Sequence, residues 1–474
     1  MIHNLNRVTL VILFSFAAVM LSLVYWSVLG SDSMLARDDN PRLVETERAL
    51  VRGGIYDRSG QILAVSTNVG LSPSGKMLVR RTYQSADVSS VVGYYSLVHG
   101  VGGTEAAFDT QLRGNDLRDS AQIAVDSLLH HPQVGSDVRL TVDATLQSIV
   151  SGTLKGRQGA VIAIEVPSGA ILAMVSAPSF DPNTLDRNFD ALQADPAAPL
   201  LNRVTQGLYQ PGGALETPIL AAMLADKAQM TDPTAGTMNP VQVDGRELNC
   251  ASQGLAFSLE DAYALACPAL FAEALASHPG PAAVQKMIDA FGLLQAPALA
   301  NFGTVSGQSI RPLTELTDPE LLRAEGAGQG ELTVSPFQMV LVAATIANHG
   351  TAIEPHLADA VRLPRVAEWQ PLPQEQQQRA VVTQDIADTI GSTMRNTVVF
   401  GAANAAERLP LLIHGHASIA FTGPHQQQAA WFIGYVTLDD GRSIAVAVVV
   451  ENADAPVAAN IGGTTLAAAA KLPQ

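Results

Sequence analysis

The chain has 474 residues, of which 47% are hydrophobic and 15% charged. That excludes a disordered chain and leaves enough apolar material for two or three folded units. Asp+Glu outnumber Lys+Arg by 44 to 28, a formal net charge of −16 with no basic run to offset it, so nucleic acid is excluded as a partner.

Residues 8–30, VTLVILFSFAAVMLSLVYWSVLG, contain no charge. A run of this length spans a hydrocarbon core as a helix. Arg7 precedes it, which favours a cytoplasmic tail at 1–7, and Tyr25 and Trp26 sit near the outer end as interface aromatics do. A cleaved signal peptide is the alternative, but its apolar region runs to about 7–15 residues and ends at a small-residue site. The expectation is an uncleaved single-pass anchor with the remaining chain outside the cytoplasm, on the periplasmic or cell-wall side.

Residues 52–65 read as strand, turn at Ser59-Gly60, and strand. Residues 138–142 alternate as a strand, and Asp143 begins a helix. Two β-rich runs, 159–165 and 170–176, flank Pro167-Ser168-Gly169, a hairpin signal. Helical patterns dominate 215–350, with a capping box predicted at Ser258. Strands follow at 428–436 and 443–451, and a helix at 464–471; residues 374–378, QEQQQ, read as surface. Strands at both ends of a helical middle predict one antiparallel sheet covered by helices, an α/β (α+β) fold. Cys250 and Cys267 have no zinc-type spacing and could pair with each other in an exported chain.

Residues 52–66 (RGGIYDRSGQILAVS), 140–147 (LTVDATLQ), 159–183 (GAVIAIEVPSGAILAMVSAPSFDPN), 328–350 (GQGELTVSPFQMVLVAATIANHG) and 431–435 (WFIGY) together resemble class B penicillin-binding proteins, the peptidoglycan transpeptidases of division and elongation. The resemblance implies an anchor at 8–30, an extended pedestal (dimerisation-type) domain at 31–145 and a transpeptidase domain of serine β-lactamase-like fold at 146–474. It also implies a polytopic peptidoglycan glycosyltransferase as partner, a peptidoglycan stem peptide as possible ligand, and no cofactor or metal.

The family's chemistry needs three clusters: Ser-x-x-Lys for nucleophile and base, Ser-x-Asn, and a strand with Lys-Thr/Ser-Gly. Here Gly213 occupies the serine position and Glu216 the lysine position. Ala266-Cys267-Pro268 lies where Ser-x-Asn belongs, so Ala266 and Pro268 replace its polar members. His416-Ala417-Ser418 is best placed over Lys-Thr-Gly, though a shift by two would put His414 there. The expectation is a pseudoenzyme in cell-wall synthesis with no intact catalytic residue. The alternatives are an acyl transferase using other groups, such as Thr217 or Cys267, and a non-covalent sensor of stem peptide or β-lactam. Thr217-Pro218 predicts a helix starting one turn late, with Thr217 as its cap and Pro218 first in the helix. Glu216 is expected to be solvated or salt-bridged. His414, His416 and His425 could in principle share a metal, but exposed or satisfied histidines are the default.

Overall fold

Residues 159–166 and 443–451, GAVIAIEV and SIAVAVVVE, show almost no polar alternation. A strand has this composition when both its faces are covered. The computed structural model describes residues 2–25, 47–71, 75, 77–114, 133–234, 240–243, 245–374, 379–423 and 427–473, and it buries every residue of both strands except Glu165 and Glu451, which are half-buried.

In chain order come helix α1 (Ile2–Val24) and strands β1 (Ile55–Tyr56), β2 (Ile62–Leu71), β3 (Met77–Tyr83) and β4 (Asp137–Leu140). Helix α2 (Ala144–Thr153) leads into β5 (Gly159–Val166) and β6 (Ile171–Ala177). Helices α3 (Leu185–Ala194), α4 (Glu216–Ala225), α5 (Leu259–Ala264), α6 (Pro268–Ala276) and α7 (Pro336–Ala347) follow. Then come β7 (Ala358–Arg362), β8 (Gln370–Pro371), α8 (Gln384–Phe400), β9 (Ile413–Thr422), β10 (Gln427–Thr437), β11 (Ser443–Glu451) and α9 (Ala455–Ala469).

The larger body is a five-stranded antiparallel sheet in the order β9-β10-β11-β5-β6. Alternate residues supply its two cores. Ile162, Ile433 and Ala447 meet Val340 of α7 on one face, while Val161, Phe432 and Val446 meet Leu146 of α2 and Ala458 of α9 on the other. Each fully buried large apolar side chain contributes about 1.5–3 kcal/mol relative to exposure. Because β9 is an edge strand, one side of it is open to whatever approaches laterally. That is where the site lies.

The second body is a six-stranded sheet in the order β8-β7-β4-β1-β2-β3. Its last two strands come from 358–371, so the chain returns to it from beyond residue 145. Beneath β1–β3, Glu105 is fully buried and accepts from Nε of both Arg52 (3.0 Å) and Arg81 (2.6 Å).

The hairpin 159–177, the Asp143 cap of α2 and the strands near 428–451 follow the sequence reading. The last helix departs from it by starting at Ala455 instead of 464. Gly462 and Gly463 lower its local propensity, but Phe432 stands 2.1 Å from where a Cβ on Gly462 would be, so sheet packing selects glycine there. A short hairpin, Val241–Val243 with Arg246–Leu248, interrupts the predicted helical region. Among the described residues no helix is long and apolar enough to cross a membrane. Helix α1 nonetheless exposes Leu10, Phe14 and Leu21. Residues 26–30 of the expected anchor, 375–378 of the Gln-rich piece and His425 lie outside the described residues.

Candidate functional site

The stretch Tyr209-Gln210-Pro211 is tied down from two sides. Tyr209 exchanges backbone hydrogen bonds with Val334, at 3.0 and 2.9 Å, and Trp431 Nε1–H donates to the Gln210 carbonyl at 3.0 Å. The chain then makes a 3-10 turn at Gly212–Leu215 and runs directly into α4 at Glu216. This corrects the expectation of a helix starting late. Thr217 does not cap; its hydroxyl shares a 2.8 Å hydrogen bond with Tyr263 OH. Pro218 is tolerated because it lies in the first turn of α4, where most N–H groups have no α-helical partner to lose.

The 3-10 turn lies against β9. Gly212, at φ +52°, passes so close to Ile419 that a Cβ would stand 2.2 Å from its carbonyl oxygen. A Cβ on Gly213 would stand 2.6 Å from Ser418 Cβ and 3.1 Å from both Ser418 Oγ and Glu216 Oε1. The Ser418 side chain therefore occupies the ground into which any side chain at 213 would grow.

Glu216 and His416 are both buried, and His416 Nε2 lies 3.2 Å from Glu216 Oε2 and 3.1 Å from the Gly213 carbonyl. Both neighbours are acceptors, which places a proton on Nε2. That N–H is directed at the carbonyl, and neither Glu216 oxygen has a hydrogen bond among the described residues. Burial raises the Glu216 pKa above its ordinary value, with His416 opposing the rise. Of the two expectations for Glu216, the solvated one is corrected, because α4 and β9 bury the carboxylate, while the paired one holds to the extent that His416 Nε2 lies beside it at 3.2 Å. The imidazole also stacks on Tyr263 at 4.3 Å, a contact the sequence did not signal. His416 Nδ1 and Ser418 Oγ are buried without partners among the described residues.

The middle cluster closes the other wall. Ala266 takes a left-handed conformation, φ +49°, at the sharp turn between α5 and α6. Cys267 is bonded to Cys250 in a disulfide. The adjoining residues Ala251 and Ser252 donate to the carbonyls of Ala266 and Leu265, each at 3.1 Å. Cys267 accordingly offers no thiol. Gly213, Glu216, Ala266, Pro268 and Ser418 all line one cleft with Asn249, and its volume is about 10 Å³, room for about one water. The structure thus brings the three predicted clusters together, with His416 and not His414 facing the turn; His414 Nδ1 instead meets the Gly391 carbonyl at 2.7 Å. Among the described residues no group of His, Cys, Asp and Glu could hold a metal.

Comparison with known proteins agrees with this architecture. Residues 159–471 match the penicillin binding protein transpeptidase domain, and 52–138 match the penicillin binding protein A dimerisation domain. The chain belongs to the class B penicillin-binding protein family. It is 30% identical to the peptidoglycan D,D-transpeptidase PbpA of Mycolicibacterium smegmatis, over 98% of both chains. The crystal structure of PBPA from Mycobacterium tuberculosis superposes with a TM-score of 0.78 at 27% identity, covering 89% of this chain and 99% of that one. That protein has also been solved as an imipenem acyl-enzyme complex. Pseudomonas aeruginosa PBP2 superposes with a TM-score of 0.69 at 26% identity, covering 88% of this chain and 95% of that one.

Proposed function

We propose that this protein serves peptidoglycan synthesis as a catalytically inactive class B penicillin-binding protein, a partner or regulator of a polytopic membrane glycan polymerase. In this reading residues 1–7 are cytoplasmic and 8–30 anchor the chain. The pedestal, 31–145 with the strands it takes from 358–371, and the transpeptidase-like body built from the rest of 146–474 stand on the outer side.

Gly213 carries the reading. It offers no oxygen to acylate at the position the family gives to serine, and Ser418 fills the adjacent space. Two further features support it. A carboxylate, Glu216, stands where the family's lysine would take the serine proton. Ala266 and Pro268, apolar residues at the positions the resemblance gives to the polar members of the middle cluster, line the same cleft. The competing reading, a working D,D-transpeptidase, draws on the names the relatives carry.

A fluorescent penicillin applied to the purified full-length chain decides between them. The expected result is no covalent adduct. A stoichiometric label that survives boiling in detergent overturns the proposal, and its position identifies the group that replaced serine.

A further inference from the structure

Where the pedestal meets the transpeptidase-like body lies a cavity of about 210 Å³ that shares no residue with the degenerate cleft. We propose that it binds one N-acetylhexosamine ring of a glycan strand. The inference rests on the cell-wall role proposed above and not on the loss of catalysis.

The lining selects the ligand class. Among the described residues that form it there is no Lys, Arg, His, Asp or Glu. An ion entering would leave water without a partner charge, which is costly, so the guest is neutral. Three aromatic residues, Tyr94, Phe180 and Phe302, share the lining with Ser179, Asn202 and Gln206. Hydroxyls and amides both donate and accept, which matches the hydroxyl rim of a sugar. An aromatic face carries the negative part of the ring quadrupole, which matches the C–H face of a pyranose. The volume falls below the about 300–1,000 Å³ of sites for drug-sized ligands, as a site for a single ring should. Gln206 is exposed, and its side-chain amide makes no hydrogen bond among the described residues. A primary amide pairs with an acetamido group donor to acceptor and acceptor to donor, and Pro199 and Leu201 offer apolar ground for the acetamido methyl.

The walls are formed before any ligand arrives. The Tyr94 ring rests on bare backbone, since a Cβ on Gly102 would stand 2.8 Å from its Cε1, and it meets Phe180 edge to face at 6.1 Å. Asn202 Nδ2 donates to the Ser90 carbonyl at 2.8 Å, and Ser90 Oγ donates to the Met174 carbonyl at 2.7 Å. Ser176 Oγ donates to the Leu201 carbonyl and accepts from the Arg203 N–H, both at 3.0 Å. These bonds tie the pedestal to β6 and to residues 201–203, so little ordering is left for binding to do.

The test is saturation-transfer NMR on the full-length chain in a sugar-free neutral detergent, with the water-soluble N-acetylglucosamine trimer as probe. Saturable binding near one per chain is expected, with transfer to one ring's C–H protons and its acetamido methyl. Gln206→Leu removes the amide of an exposed side chain and should weaken binding about tenfold, the scale of two lost hydrogen bonds. Gly303→Leu places bulk at the cavity's edge. Gly303 is not at positive φ, and a Cβ there meets only Gln206 Nε2, at 3.3 Å, so this variant should keep its thermal transition and lose the probe. Maltotriose, which lacks the acetamido group, and N-acetyl-dialanine amide, a neutral peptide, are the competing probes. Three outcomes overturn the proposal: no transfer to the trimer, unchanged transfer in either variant, or transfer to maltotriose or the capped peptide as strong as to the trimer. None of them involves the penicillin label, so the failure of this site and the failure of the inactive-partner reading are separate results.

Discussion

Replacing Gly213 by alanine tests whether β9 lies against the 3-10 turn as described. Two effects oppose each other. Alanine restricts the unfolded chain and favours helical geometry, which stabilises by about 0.4–1 kcal/mol where the backbone accepts it. Gly213 is not at positive φ, so its backbone does. Against this, the new Cβ would stand 2.6 Å from Ser418 Cβ, which is backbone-tethered and cannot swing aside. Overpacking of that kind costs about 1–3 kcal/mol. The clash wins, and Gly213→Ala should destabilise by roughly 0.5–2 kcal/mol. In a Ser418→Gly background the 2.6 Å obstruction is gone and only Glu216 Oε1, at 3.1 Å, remains, so the same substitution should be neutral to within about 1 kcal/mol. The loss of the penalty is the signature. Thermal unfolding of the four proteins in the cycle reads it, since 1 kcal/mol moves Tm by about 2 °C in a large domain. Equal effects of Gly213→Ala in both backgrounds would refute the packing of residue 213 against residue 418. Gly213→Ser/Ser418→Gly should still take up no fluorescent penicillin, because Glu216 and His416 remain where the family keeps its cations.

The buried pair should make stability depend on pH. Burial holds the Glu216 pKa above its ordinary 4.5, so in that interval the folded state binds more protons than the unfolded, and stability falls as pH rises from 4.5 through the folded pKa. His416→Ala removes the group opposing that rise and should destabilise most where the carboxylate is charged. In urea unfolding its deficit should be smallest near pH 4.5 and grow as pH rises above that value; a pH-independent deficit contradicts the pairing. Breaking the Cys250–Cys267 bridge, whose sequence separation is 17, should cost about 3 kcal/mol in the chain-entropy picture, and an unchanged Tm for Cys250→Ala/Cys267→Ala would count against it. Exchanging residues 8–30 for an unrelated apolar helix should keep the chain in the membrane yet weaken co-purification of the glycan polymerase, because helix contacts in lipid depend on particular small and polar faces. Full co-purification after the swap, with loss in Glu216→Ala, would move the partner role to the transpeptidase-like body.

Much of the architecture is local in origin and was legible from residues alone. The uninterrupted apolar runs of β5 and β11 require cover on both faces. Pro167-Ser168-Gly169 turns the β5–β6 hairpin, and Asp143 and Ser258 cap their helices by bonds to N–H groups within three residues. Residues 213, 216, 266, 268, 416 and 418 were singled out through the resemblance of the stretches around them.

What neighbours far along the chain impose was not legible. Sequence reading set Thr217 as a cap; Tyr263, 46 residues away, claims its hydroxyl instead. Glu216 reads as a solvated or salt-bridged carboxylate, and only β9, some 200 residues later, decides between the two by burying it beside His416. The choice between His414 and His416 depended on strand register, which places Ser418 and not Ala417 against Gly213. Helix caps and strand alternation are set by atoms a few bonds apart, whereas burial of a charge or closure of a cleft depends on which distant segment arrives. That is fixed by the packed fold alone.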